Sequence, residues 1–321
     1  MTVEPDKLAL RELGRSGLRV TGVGLGGSPL GGAELTYGHD TSREDAVATV
    51  RRAFEGPFNL LDTSNAYGEG RSEQRIGAAI RENDGVPDGF VIATKVDADP
   101  ATGVYDRDRV LRSFQESIDR LGLQRLDLLY LHDPEGFMSV EEALGAGGAV
   151  AGLRELRDSG QVTSIGIAGG AAAEMARYVG SGHFDVLLTH NRYTLVDRTA
   201  DSLIDLAHDH GMGVINAAPF GGGVLARGGI PGDRYAYGLG TEEQVRAAGE
   251  MKRYLDGFGI PIAAAALQFS LDEKRIHSTL FGASSPARVD QAVELLEVEI
   301  PDEVWERLAQ FVPAPVYWIN D

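Results

Sequence analysis

The sequence predicts an α/β protein in which eight parallel strands alternate with helices and close into a (β/α)8, or TIM, barrel. Long loops follow its strands, and a tail ends the chain. Three observations lead there. Eight short, near-continuous apolar runs recur along the 321 residues, the pattern of strands buried on both faces. Amphipathic stretches at helical spacing separate the runs. No low-complexity linker or charge block divides the chain, so residues 1–321 read as a single domain.

The runs are VTGVGLGG (20–27), NLLDTS (59–64), FVIATKV (90–96), DLLYLHD (127–133), VTSIGIAG (162–169), DVLLTHN (185–191), GVINAAP (213–219) and TLFGASS (279–285). Helical spacing runs through REDAVATVRRAFE (43–55) and RDRVLRSFQESIDRLG (107–122), where Gly122 is a natural stop. It runs also through 141–160, 199–211, 242–259 and 286–297. The structural rival, a doubly wound open sheet, opens with a glycine fingerprint leading into a helix. GLGGSPLGG (24–32) is glycine-rich but opens no helical pattern, and reads as a strand end and loop. Long connections stand out at 28–42, 97–106 and 221–240. In a barrel, loops that follow strands lie on the catalytic face. The tail VPAPVYWIND (312–321) either folds over that face or packs on the wall.

Composition narrows the function. With 48 acidic against 30 basic residues, the net charge of −18 disfavours nucleic acid and anionic membranes as partners. A phosphate-bearing cofactor stays open, since a pocket can be locally basic. There are no cysteines, hence neither disulfides nor thiolate metal sites. No apolar run approaches the roughly 20 residues of a membrane helix, and the charged N-terminus MTVEPDKLALREL has no signal-peptide core. A cytoplasmic protein is the expectation. The sequence is silent on oligomeric state.

The strand tips collect polar residues. The second run ends on Asp62, with Tyr67 five residues on. The third ends in Lys95, and the fourth in His132 and Asp133. Parallel strands bring these tips to one mouth, where Asp, Lys, Tyr and His form a proton-transfer device. A tyrosine, with a usual pKa near 10, exchanges protons at neutral pH only with help. A lysine ammonium nearby favours its phenolate, and a carboxylate holds the lysine charged. A neutral histidine beside the phenol would donate a hydrogen bond to a substrate oxygen. Taken singly, each residue is a turn, cap or solvated group; their placement on three consecutive tips points to chemistry.

These residues resemble the aldo-keto reductases. DTSNAYGEGRSEQRIG (62–77), ATKV (93–96) and SIDRLGLQRLDLLYLHDP (117–134) are similar to that family's signatures, and GIAGG, APFGGGVLARG and LFGASSPARV follow in its order. The resemblance spans roughly residues 10–300. It implies a barrel that binds NAD or NADP without a Rossmann fold. It implies Tyr67 as the acid/base, completed by Asp62, Lys95 and His132. RYTLVDR (192–198), RYAYG (234–238) and AAALQFSL (264–271) resemble the sugar-oxidising branch of D-threo-aldose (L-fucose) and L-galactose dehydrogenases. That branch implies oxidation of the C1 hydroxyl of an aldose of L-fucose, D-arabinose or L-galactose type to a lactone. NAD is commonly the acceptor, with Tyr67 as base.

The cofactor positions depart from the family pattern. Its lysine before a phosphate-reading arginine reads Gly282 here, while Arg288 is present; fewer cations would meet an adenosine 2′-phosphate, which favours NAD. Ser284 and Ser285 precede a helical pattern whose N-terminus suits pyrophosphate. The carboxamide-reading Ser-Asn pair appears as Ala168 and Gly169, the glutamine falls near His190 or Asn191, and the stacking tyrosine falls on Ala217, with Phe220 or another ring as replacement. The resemblance also places Gly26, Gly27, Pro219, Gly221, Leu225 and Gln291 at the cofactor. His190 either meets substrate hydroxyls or is a satisfied core histidine. Tyr105, Phe137, Arg192, Tyr193, Tyr235 and Trp318 are the candidate substrate wall, beside Arg234 and Tyr237. No metal is expected: His208 and His210 end a helix at the far face, and a metal hydrolase built on Asp62, His132 and His190 would lack its usual HxH pair after the first strand. The same scaffold also fits an NADPH-dependent aldehyde or ketone reductase, a pyridoxal 4-dehydrogenase or, without catalysis, a cofactor-sensing regulatory subunit.

Overall fold

The structure, a computed structural model, describes residues 7–32, 40–230 and 232–319. Residues 33–39 of the long first connection, Pro231 of the 221–240 connection and the last two residues of the tail lie outside them. The chain opens with a small antiparallel hairpin, β1 (Leu10–Glu12) and β2 (Arg19–Thr21). Then follow β3 (Val23–Gly26), α1 (Arg43–Phe54), β4 (Leu60–Asp62), α2 (Arg71–Glu82), β5 (Val91–Val96), α3 (Arg107–Leu121) and β6 (Leu126–His132). Next come α4 (Val140–Leu144), α5 (Ala149–Asp158), β7 (Val162–Ala168), α6 (Ala172–Gly180), β8 (Val186–His190), α7 (Asp201–Asp209) and β9 (Gly213–Ala217). The chain ends with α8 (Val224–Arg227), α9 (Glu242–Asp256), α10 (Ile262–Leu271), β10 (Ser278–Gly282), α11 (Pro286–Glu297) and α12 (Asp302–Ala309).

Strands β3 to β10 form the closed parallel barrel, in the order β10-β3-β4-β5-β6-β7-β8-β9. Each is the centre of one of the eight apolar runs. Local chemistry sets the helix ends. Ser42 and Asp106 cap α1 and α3 through side chains that accept from the backbone N–H three residues on. Thr241 and Gln244 close a reciprocal capping box on α9. Gly122 ends α3 where the sequence placed its stop.

Two layers of apolar side chains hold the barrel. Inside it lie Leu60, Val91, Leu128, Tyr130, Val186, Leu188, Ile215 and Leu280, all buried. The larger layer fills the space between strands and helices, where each fully buried Leu, Ile or Val contributes about 1.5–3 kcal/mol. The hairpin closes the N-terminal end: Leu13 is fully buried against the barrel interior, and Gly14 bridges Met212 just before β9. The mouth is therefore the opposite end, where the strand tips lie.

Three details differ from the sequence reading. The stretch 141–160 is two helices, because Gly145, Gly147 and Gly148 interrupt it. The hairpin was not expected, since three-residue strands give no periodic signal. Helix α10, IAAAALQFSL, is buried on nearly every side and so shows no amphipathic stripe. The tail is tied to the rim of the barrel: Ile319 N donates to Asp197 at 2.9 Å, and Thr241 Oγ1 donates to Tyr317 O at 2.9 Å. No helix among the described residues is long and apolar enough to cross a membrane.

Candidate active site

The tips of β4, β5 and β6 are adjacent, with Asp62 paired to Ala93, Lys95 to Tyr130, and His132 to Ala168 of β7. Their side chains converge. Lys95 is 1% exposed and Asp62 4%, and the ammonium forms a short ion pair with Asp62 Oδ1. Lys95 Nζ also donates to Thr63 O at 2.7 Å and to Tyr67 Oη at 3.2 Å. Tyr67 is half-buried, and its ring meets that of His132 edge-on, with centroids 5.6 Å apart. Asp62, Tyr67, Lys95 and His132 thus share one site at the mouth.

The loop that carries Tyr67 is held rigidly. Glu73, fully buried in α2, accepts from Thr94 Oγ1 at 2.7 Å and from Arg120 at 3.1 Å. Arg120 also donates to Asn65 O at 3.1 Å, and Ser72 Oγ donates to Gly27 O at 2.8 Å. Gly68 follows Tyr67 at φ 61°, and a Cβ there would lie 2.3 Å from Gly31 O. Only glycine meets both demands. The GEGRSE segment is thus a clamp that fixes the phenol relative to the lysine.

Electrostatics at the mouth follow from burial and pairing. Burial raises the pKa of Asp62, and Lys95 pulls it back part of the way. Burial works against a charged His132, but the carboxylates of Asp97 and Asp133 outweigh it and hold the ring above its ordinary value. The expected histidine donor thus sits where two aspartates favour its charged form. Burial alone would raise Asp133; His132 and His190 instead hold it well below the usual carboxylate range. His190, at the tip of β8, is part-exposed and lies 3.6 Å from Asp133, which also stands 3.6 Å from His132 Nε2. His190 therefore belongs to the mouth and not to the core.

Other expected residues fall in several places. Ala168 is buried at the tip of β7; at the tip of β3 Gly26 is part-exposed and Gly27 buried, and Gly27 N donates to Asp62 O at 2.7 Å. Pro219, Phe220 and Gly221 turn the chain after β9. Gly282 is exposed at the tip of β10, and Ser284 and Ser285 lead into α11. Arg288 and Gln291 are exposed on its first turns and bonded to each other at 2.6 Å. Arg192 is buried beside Gly170, and Phe137 is exposed, edge-on to Tyr105.

Five expected positions need correction. Tyr105 is buried, its hydroxyl tied to the backbone of Val96 and His132, so it braces the β6 tip. Tyr193 is stacked on Phe269 of α10 with its hydroxyl on Glu273 at 2.9 Å. Tyr235 is 1% exposed and bonded to Asn191 O and Thr194. Leu225 is fully buried in the cluster beneath the tail. None of these four leaves a face for a ligand. Trp318 donates to Pro313 O and lines a shallow cavity with Arg198, Thr199 and Ile319, apart from the four converging residues.

Sequence reasoning missed Asp97, Ser64 and Glu135. Asp97 Oδ1 lies 2.6 Å from His132 Nδ1, and Asp97 Oδ2 accepts from Ser64 Oγ at 2.6 Å and from Ala66 N at 3.0 Å. The signal was a carboxylate two residues past the lysine. Glu135, three residues past His132, accepts from Gly170 N at 2.8 Å and Ala171 N at 3.1 Å, ahead of α6. A Cβ on Gly169 would lie 2.9 Å from Glu135 Oε2, so the glycine at 169 makes room for a carboxylate, while the glycine at 170 makes room for the Arg192 guanidinium.

The mouth suits a nicotinamide dinucleotide. Glu135 Oε2 and Asn191 Oδ1 are buried acceptors with no hydrogen-bond partner among the described residues, a kind of group that a carboxamide NH2 would satisfy. The twelve-residue α11 starts without a side-chain cap, leaving its N-terminus for an anion.

Residues 22–313 match the Aldo/keto reductase family. The chain is 33% identical to the L-galactose dehydrogenase of Arabidopsis thaliana, over 89% of this chain and 88% of that one. It is 32% identical to the pyridoxal 4-dehydrogenase of Microbacterium luteolum, over 93% and 96%. It is 30% identical to the D-threo-aldose 1-dehydrogenase of a Pseudomonas species, over 94% and 97%. The solved holo form of aldo-keto reductase AKR11C1 from Bacillus halodurans shares the fold, with a TM-score of 0.77 at 22% identity, covering 95% of this chain and 97% of that one.

Proposed function

This chain belongs to the aldo/keto reductase family, and from that premise we propose that it oxidises the C1 hydroxyl of an aldose to a lactone. It is an NAD(P)-dependent oxidoreductase. The observation that carries the reading is the buried Lys95, whose ammonium touches both Asp62 and the Tyr67 hydroxyl. A cation held against a phenol oxygen assists its loss of a proton, and the Asp62 carboxylate keeps that cation charged in a dry site. Tyr67 then takes the C1 hydroxyl proton, while His132 faces the same oxygen. A nicotinamide bound at the mouth would accept the hydride that leaves C1. Help of this kind from one positioned group contributes about 10²–10⁴ in rate. Glu135 and Asn191 would hold the carboxamide, and the N-terminus of α11 with Ser284 and Ser285 the phosphates.

Two features favour a sugar. Two of the relatives at 30–33% identity described above are named as dehydrogenases of an aldose or of L-galactose. His190 and Asp133 add polar groups beside the catalytic tips, as a polyhydroxylated substrate requires. The pyridoxal 4-dehydrogenase relative supports a second reading, in which the same residues act on the 4-formyl group of pyridoxal. NAD is favoured over NADP because Gly282 offers no cation and Arg288 stands on an exposed turn, engaged with Gln291.

The test is NADH formation from NAD with L-fucose, D-arabinose, L-galactose and pyridoxal, repeated with NADP. Turnover of an aldose with NAD supports the proposal. Silence on every sugar, with NADPH consumed by simple aldehydes, overturns it in favour of a general carbonyl reductase.

A further inference from the structure

The four converging residues leave one part-buried carboxylate beside them without a role. Asp97 sits in the loop after β5, and its side chain is 15% exposed. Burial would raise its pKa, but the His132 charge and hydrogen bonds from His132, Ser64 and Ala66 bring it below the ordinary value, so it is ionised. An ionised carboxylate only accepts hydrogen bonds. Its 2.6 Å contact with His132 Nδ1 therefore requires a proton on Nδ1. Ser64 gives its own hydrogen to Asp97 Oδ2, so its oxygen, 3.1 Å from Nδ1, is a second acceptor for that same proton. Both neighbours of Nδ1 make the same demand. The second nitrogen of a neutral ring then has no proton to give.

We propose that Asp97 is a positioning residue that commits His132 to the Nδ1–H tautomer, so that Nε2 donates to a substrate oxygen only when the ring is protonated. This rests on the reading of the mouth as the oxidoreductase site. The neutral ring puts no donor on the substrate oxygen, which leaves the single hydroxyl proton of an alcohol to Tyr67. The charged ring offers Nε2–H, which suits a carbonyl about to be reduced. The protonation state of His132 thus selects between the two directions. Around the ring stand Asp97 from the β5 loop, Asp133 at 3.6 Å from Nε2, Lys95 and Asp62 on the neighbouring tips, Tyr67 edge-on, and Tyr105, whose hydroxyl contacts the His132 backbone. The two aspartates near the ring favour its charge, and Lys95 opposes it. The carbonyl-binding state holds below the raised pKa of His132 and is lost as pH rises through it.

The experiment is a 15N spectrum of the imidazoles of the full-length protein against pH, with His132→Asn assigning the resonances. The expected result is a proton on Nδ1 of neutral His132, and in Asp97→Asn an acidity constant at least about tenfold larger, one pH unit. Ser64→Ala, which keeps the carboxylate, should leave the midpoint nearly in place. With any carbonyl substrate that turns over, the alkaline limb of kcat/KM for reduction should move down by the same amount in Asp97→Asn. A wild-type ring protonated on Nε2 when neutral overturns the proposal, even if Asp97→Asn does not fold. So does a midpoint that Asp97→Asn leaves unchanged. The spectrum needs no turnover, so absence of sugar oxidation would sink the proposed function and leave this result standing.

Discussion

Replacing Lys95 with methionine keeps the length of the side chain and removes its charge. In the folded protein the ammonium is Asp62's hydrogen-bond donor, and Asp62 Oδ2 already has no partner among the described residues. The variant therefore leaves a buried carboxylate with no hydrogen bond from them. Removing one partner of a buried pair costs about 3–5 kcal/mol, a large part of the roughly 5–15 kcal/mol that holds a domain folded. Adding Asp62→Asn removes the stranded charge. The double variant should recover about 2 kcal/mol, within the range of couplings between residues in contact. The loss should depend on pH. Burial has already raised the pKa of Asp62, and without Lys95 it rises further. A carboxyl whose folded pKa lies above its unfolded value stabilises fully below the unfolded value and loses that contribution as pH rises through the folded one. The penalty of Lys95→Met should thus be full at pH 7 and shrink toward pH 4. Urea unfolding followed by circular dichroism at both pH values measures it. Stability at pH 7 equal to that of the wild type, or single losses that simply add in the double variant, would refute the reasoning.

Other expectations concern single groups. Tyr67→Phe should lower turnover by about 10²–10⁴ while leaving cofactor affinity, read by quenching of protein fluorescence, nearly unchanged; near-wild-type turnover would remove Tyr67 from the chemistry. Glu73→Ala should cost about 1–3 kcal/mol in urea unfolding, because it leaves the buried Thr94 hydroxyl and the part-buried Arg120 without their carboxylate; a loss well under about 1 kcal/mol, the value of an exposed pair, would mean that the clamp is not structural. Arg288→Ala should weaken NADP binding by about 1.5–3 kcal/mol and NAD binding far less, as calorimetry can resolve; equal losses would mean that Arg288 does not read the 2′-phosphate.

The barrel was legible because strands buried on both faces interrupt the amphipathic pattern eight times, and each run became a barrel strand. The converging residues were legible for a related reason. Asp62, Lys95 and His132 are polar residues ending apolar runs, and parallel pairing puts such ends side by side. Their partners were not. A carboxylate two residues past the lysine is a local sign of Asp97, but nothing local shows that it meets His132 across the β5–β6 boundary, or that Glu135 fills the space above Gly169. Aromatic residues in loops misled for the opposite reason. Sequence does not tell whether Tyr105, Tyr193 and Tyr235 turn toward the mouth or into packing, and all three turn into packing. Helix α10 escaped because it is apolar on nearly every face. The histidine tautomer depends on the state of a carboxylate 35 residues away and is readable only from geometry.

The most direct test follows the hydrogen itself. L-fucose, L-galactose and D-arabinose, each deuterated at C1, are incubated with the full chain and NAD, and the reduced cofactor and sugar product are analysed by mass spectrometry. The account predicts, for at least one of them, one deuterium on the nicotinamide for each lactone formed. Reduced cofactor without deuterium, or none from any of the three sugars, would contradict it.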